Sequence, residues 1–264
     1  VTNGAGRSQL VVNYIGLGTL VRRELKRTLM VINQVVWPPM ITTLLFLFIF
    51  GLSLGARIKT LGGVPYVVFL LPGLVMLNII ASSYEESASS LFQQRFMNSI
   101  QELLIAPLSY IEIILGFLTG SVLRGFVIGN LVMVLGVLLV HAGPHHPLVY
   151  FYFMCATALL FSSVGMIAGL LGKTWDNLAI FTTFIITPLT YIGGVFSSIT
   201  LLPEFFRRVS LFNPMLYMID GFRYSYTSTV DVNLLADGVV VAVLALAAFA
   251  TASVLTKRGV NLRV

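Results

Sequence analysis

The sequence predicts an all-α integral membrane fold with six transmembrane helices, and three observations lead there. Of its 264 residues, 57% are hydrophobic and 10% charged, with a mean hydropathy of +0.94, which no soluble domain of this size sustains. The apolar residues fall into six runs, each near the roughly 20 residues that a helix needs to cross a bilayer core. Two mixed stretches, 85 to 110 and 200 to 233, are too polar to span and too greasy for free solution.

The chain opens with a basic amphipathic helix over 8–30, where Leu10, Tyr14, Leu17, Val21, Leu25 and Leu29 share a face and Arg22, Arg23, Lys26 and Arg27 fill the others. Such a helix suits an anionic membrane surface. No cleavable signal is visible, so the first span, 35–55, acts as its own insertion signal; Trp37, Pro38 and Pro39 mark its start at an interface. A loop with Arg57, Lys59, Gly62 and Gly63 leads to the second span, 64–84, kinked at Pro72-Gly73. An amphipathic helix follows over 87–106 and ends at Pro107; it rests on headgroups or docks a soluble partner.

The third span, 110–140, exceeds one perpendicular crossing, so it tilts, kinks or extends beyond the bilayer. Gly116 with Gly120, Gly125 with Gly129, and Gly165 with Gly169 in the fourth span (148–172) are small-xxx-small pairs that admit a close neighbouring helix. The fifth span, 178–199, is interrupted at Thr187-Pro188. Residues 200–233 read as short helices at or dipping into the interface, broken at Asn213-Pro214 and at Gly221, and the sixth span is 234–256.

Basic residues set the orientation. Arg7, Arg22, Arg23, Lys26, Arg27, Arg95, Lys173, Lys257, Arg258 and Arg263 lie on the side of the termini, against Arg57, Lys59, Arg207, Arg208 and Arg223 opposite, which puts both termini in the cytoplasm. The net charge of +6 is spread among loops and termini as topology requires, which argues against nucleic-acid binding.

Catalytic chemistry is not found. Gly172-Lys173-Thr174 resembles the end of a phosphate-binding loop, but the required glycine five positions before Gly172 is Ile167 and a span precedes it, so this chain has no ATPase site. His141, His145 and His146 share one loop without acidic or cysteine neighbours, Cys155 is alone, and no metal site is expected. Glu85 and Glu86 are solvated or matched to a basic partner. Arg124 lies about 21 Å along its helix, where an arginine is expensive unless paired; a structural ion pair and substrate contact compete for it. Thr187, Tyr191 and Phe196 make the fifth span partly polar and are, with Arg124, the candidates for lining a pathway.

The stretch ending QELLIAPLS and the run from TPLTYIGGVF through LPEFFRRVSLFNPMLYMIDGFRY, set among six spans, resemble the ABC-2 type permease family over nearly the whole chain, and within it the bacterial YadH-like permeases. The resemblance implies a single permease domain over 1–264, in the inner membrane of a bacterium, serving as the transmembrane subunit of an ATP-driven exporter. It makes 8–30 a connecting helix, with Arg22, Arg23 and Lys26 on it. It makes 87–106 a coupling helix, with Phe92, Arg95, Phe96, Glu102 and Leu103 as contacts to an ATP-binding cassette subunit, and 200–233 outer re-entrant helices. The expected partners are that ATPase subunit, a second permease copy or a related one, and membrane lipid. ATP and magnesium would sit in the partner, with no cofactor in this chain. A cargo that is hydrophobic or amphipathic (a drug, lipid or lipid-linked glycan) suits aromatic walls with few charges. The alternative is a self-sufficient secondary transporter or channel, which would carry ionisable residues at midplane and inverted repeats.

Overall fold

The computed structural model describes residues 13–55, 60–61 and 63–261. Residues 8–12 of the N-terminal helix, and Arg7, Arg57, Lys59, Gly62 and Arg263, lie outside the described residues.

Among the described residues eleven α-helices follow one another, and six helices, counting their continuations, are long and apolar enough to cross a membrane. Helix α1 is Tyr14–Met30 and α2 is Ile32–Phe48, the latter continuing as a π-helical turn over Ile49–Leu54. A two-residue hairpin, β1 (Thr60–Leu61) against β2 (Val64–Pro65), precedes α3, Tyr66–Phe96. After α4 (Ile100–Ile105) come α5 (Tyr110–Val140) and α6 (Pro147–Leu171). The fifth span, Trp175–Val195, is composite: α7 (Trp175–Phe181) and α8 (Thr187–Thr190) are separated and followed by π-helical turns. Then come α9 (Glu204–Leu211), α10 (Pro214–Thr227) and α11 (Leu234–Lys257).

Helix α3 is the axis of the bundle, packed most extensively on α5 and α6 and also touching α2, α7 and α10. The glycine pairs determine who comes close. A Cβ on Gly116 would meet Leu20 Cδ2 at 2.3 Å and one on Gly120 would meet Glu24 Cβ at 2.9 Å, so this pair seats α1. Gly125 and Gly129 seat α3 at Ser83 and Ile79, and Gly165 and Gly169 seat α3 again at the Tyr84 and Ala88 carbonyls. Small residues make these contacts because a membrane offers no hydrophobic drive between helices, leaving close packing to do it.

Three sequence expectations need correction. The predicted helix 87–106 is two pieces: α3 runs unbroken to Phe96, Asn98 takes a left-handed φ of 56°, and α4 starts afresh at Ile100. Pro38 and Pro39 stand inside α2 rather than at its start, because the helix begins at Ile32. Gly221 does not break α10; it lies mid-helix, where a Cβ would fall 2.0 Å from the Phe153 ring, so its smallness serves packing. Helix α1 follows the first half of α5 in the same direction, with Leu20 at Gly116 and Glu24 at Gly120.

Local chemistry sets the helix ends. Asn13 accepts from Gly16 N at 2.9 Å, Asn213 from Met215 N and Asn233 from Leu235 N, each capping a helix start. Ser109 and Glu112 form a capping box at α5, and Glu112 also accepts from the Asn13 N–H, which joins the starts of α1 and α5. In the fifth span Pro188 offers no backbone donor, and just before it the Thr182 carbonyl accepts from both the Thr187 N–H and Thr187 Oγ1, the latter at 3.0 Å. Gly194 then takes a φ of 98°, which ends the span.

Candidate functional site

Helices α3 and α5 each have 31 residues, about 46 Å at 1.5 Å per residue. That exceeds a core of about 30 Å by roughly half again. With Arg22, Arg23 and Lys26 exposed on α1 beside them, the excess belongs at the end where α4 lies. There the three helices share a buried polar network. Glu86 of α3, 2% exposed, accepts from Arg27 and Thr28 of α1 (Thr28 Oγ1 at 2.8 Å) and from Arg124 of α5. Glu24, equally buried, accepts from Ser90 Oγ at 2.6 Å, Gln94 Nε2 at 3.3 Å and Arg23 Nη2 at 3.2 Å, with Arg27 Nε 3.4 Å away but not aligned as a hydrogen bond.

Arg124 is thus ion-paired, to Glu86. Sequence reasoning missed Glu24, whose signal was its being the one carboxylate in an otherwise basic helix. It also left Glu86 without a named partner. Glu85, next to it, points elsewhere and is exposed.

The five residues expected to contact an ATPase divide. Phe92 is buried and packs edge-on against Trp175, ring centroids 4.7 Å apart; Leu103 is buried with Leu91, Ile100 and Ile113. Arg95 turns inward, donating to the carbonyls of Gly169 (2.6 Å), Gly172 (3.1 Å) and Asn261 (2.9 Å). Phe96, 68% exposed, and Glu102 face outward, joined by exposed Met97, Gln101 and Ile105. The surface available at this end is therefore made by Phe96, Met97, Gln101, Glu102 and Ile105 and not by the buried face of the stretch.

At the opposite end Phe196 of the expected pathway gathers Tyr191, Phe46 of α2 and Phe50 of the π-helical turn after it, at 5.3 Å, 5.4 Å and 4.9 Å ring to ring. Thr187 sits lower in the same span, its hydroxyl spent on the Thr182 carbonyl. Helix α10 is buried among α3, α6 and α11, and carries Arg223, which lies 3.8 Å above the Phe69 ring and donates to the Gly194 carbonyl. Burial pushes the Arg223 guanidinium down to about 10. Burial pushes the Asp220 carboxyl up, opposed by the N–H groups of Asp231 and Val232 that it accepts at 2.9 Å. His145 and His146 both donate their backbone N–H to the Ser225 carbonyl, so the histidine loop fastens the end of α10. Among the described residues no three His, Cys, Asp or Glu side chains gather as a metal ion would need.

Comparison with known proteins accords with this geometry. The ABC-2 type transporter family matches residues 16–227. The chain is 38% identical over 250 residues to the inner membrane transport permease YadH of Escherichia coli K12, covering 95% of this chain and 98% of that protein. It is also 28% identical over 189 residues to nodulation protein J of Rhizobium meliloti, 68% of this chain and 69% of that one. To nodulation protein J of Sinorhizobium fredii it is 25% identical over 178 residues, 67% and 68% of the two chains.

Proposed function

The chain belongs to the ABC-2 type transporter family, and from that membership we propose that it is the permease half of an exporter in a bacterial inner membrane, driven by a separate ATP-binding cassette subunit that holds ATP and magnesium. Both termini and α4 face the cytoplasm; α9 faces outward. Two permease copies, or this chain and a related one, enclose a path for a hydrophobic or amphipathic cargo, and lipid covers the remaining apolar faces.

The observation that carries the reading is the exposed patch of Phe96, Met97, Glu102 and Ile105 at the tip of two helices too long for the bilayer. Apolar side chains left in water beside charged ones mark a protein interface. Behind the patch, the Glu86 network ties α1, α3 and α5, so a push on α4 reaches three helices at once. The aromatic group of Tyr191, Phe196, Phe46 and Phe50 at the far end supports a cargo that presents apolar surface.

Co-expression with a cassette subunit, followed by co-purification and ATPase assay in proteoliposomes, tests this. A stable complex whose hydrolysis rate differs from that of the cassette alone is expected; two proteins that never associate would overturn it. One observation favours the ion-driven alternative: Asp237 of α11 is wholly buried with neither carboxylate oxygen hydrogen-bonded. Uptake or release driven by a proton gradient without ATP, and lost in Asp237→Asn, would establish that reading instead.

A further inference from the structure

Arg95 sits two residues before the Met97–Ser99 break that leads into α4, and its guanidinium collects the ends of two other helices. The Gly169 and Gly172 carbonyls are those that α6 leaves without intrahelical partners at its C-terminus, where the helix dipole is negative. The Asn261 carbonyl belongs to the segment that follows α11. Asn261 returns the connection, its Nδ2 donating to the Leu170 carbonyl at 3.0 Å, and it does so from a left-handed backbone (φ 54°) that asparagine tolerates better than most residues. Three residues beyond Gly172 the fifth span begins at Trp175, capped by Thr174. One side chain thus joins α3 next to α4, the end of α6 and the segment after α11.

We propose that Arg95 and Asn261 form a clamp that makes these helix ends move with α4, so that the segment following α11 is a working part of the coupling end. The inference rests on α4 being the docking element proposed above. Arg95 is a positioning residue: it reaches three carbonyls only because a planar guanidinium offers a fixed fork of donors, which a lysine ammonium on the same stem does not reproduce. These are charge-assisted bonds, roughly twice as strong as neutral ones. That suits a joint which must transmit displacement without parting.

The test uses the complex of this chain with its cassette subunit, in the wild type and in Arg95→Ala, Arg95→Lys and Asn261→Ala, with hydrogen–deuterium exchange read with and without a non-hydrolysable ATP analogue. In the wild type the analogue is expected to change exchange both in 97–105 and in 255–261. In Arg95→Ala and Asn261→Ala the change at 97–105 remains while that at 255–261 falls by about fivefold or more, the low end of ordinary coupling between sites; Arg95→Lys does not restore it. A purely structural role would alter 255–261 equally with and without the analogue. The clamp is overturned if 255–261 still responds in both alanine variants, or if it is silent in the wild type while 97–105 responds. Should 97–105 itself not respond in the wild type, the docking assignment of α4 fails, a result distinct from the other two. Asn261→Ala, which removes one neutral bond at the surface of the bundle, decides the matter if Arg95→Ala does not yield a complex.

Discussion

Both ends of the bundle bury arginine, and they satisfy it by opposite means. At the α4 end Arg27 and Arg124 are answered by a carboxylate on a different helix, so the ion pairs run between α1, α3 and α5. At the α9 end Arg223 is answered by a backbone carbonyl and a ring face, while Asp220 is answered by backbone N–H groups of the following loop. Side chain to side chain pairing across helices holds separate bodies in register and leaves a bare charge when either partner goes. Pairing with backbone leaves only an unmet dipole when the arginine goes. The α4 end has both kinds of link, since Arg95 joins backbone carbonyls there, whereas Arg223 at the α9 end has backbone and a ring face only.

The contrast can be broken by substitution, beginning with the largest expected effect. Glu86→Ala leaves two guanidinium groups, Arg27 half-buried and Arg124 more deeply so, without their shared buried carboxylate, and a broken buried pair costs up to about 3–5 kcal/mol. Thermal unfolding of the purified chain in detergent should fall by many degrees, with Glu86→Gln, which can still accept from Thr28, falling less; an unchanged transition would remove the network from the account. Gly125→Val comes next, because its Cβ would lie 2.0 Å from Ser83 Oγ and overpacking costs about 1–3 kcal/mol. The same unfolding measurement should show an intermediate drop, and Gly125→Val with Ser83→Ala should recover part of it.

Arg223→Met sharpens the comparison. It removes the bond to Gly194 and the contact with Phe69 yet leaves no uncompensated partner charge in contact, so a loss of about 1–2 kcal/mol is expected, well under that of Glu86→Ala. A larger loss than Glu86→Ala would reverse the assignment of the two ends. Smallest is Phe96→Ala: the side chain is exposed, and its removal should leave unfolding within about 0.5 kcal/mol of wild type while weakening cassette binding.

Much of this fold was legible in the sequence where composition and caps agree. The third, fourth and sixth spans were read to within a residue of α5, α6 and α11, since each apolar run stops at a residue that caps or turns the chain. The glycine pairs announced close packing, and only the partner helices had to be supplied by the structure. The stretch 85–96 misled for a physical reason: Ser87, Ala88 and Ser90 look polar or neutral in a list of residues but act as small residues that let α3 lie against α1 and α6, so the helix does not end where its hydropathy falls. Asn98, which does end it, breaks the helix by adopting a left-handed backbone that no residue-type rule demands. The same burial turned Phe92 and Leu103 inward although their type suits an interface. Nor can spacing reveal that Arg124 meets Glu86, 38 positions earlier, rather than Glu85, 39 earlier; a single residue of helical rotation decides it.

The most direct test compares the ends in the assembled complex. ATPase activity would be measured for the chain co-purified with its cassette subunit in three forms: wild type, Phe96→Ala with Glu102→Ala at the α4 end, and Phe205→Ala with Phe212→Ala at the α9 end. The account predicts that the first pair lowers activity to that of the cassette alone or dissociates the complex, while the second leaves association and the permease-dependent rate intact. Dissociation by the α9 pair with no effect from the α4 pair would contradict it.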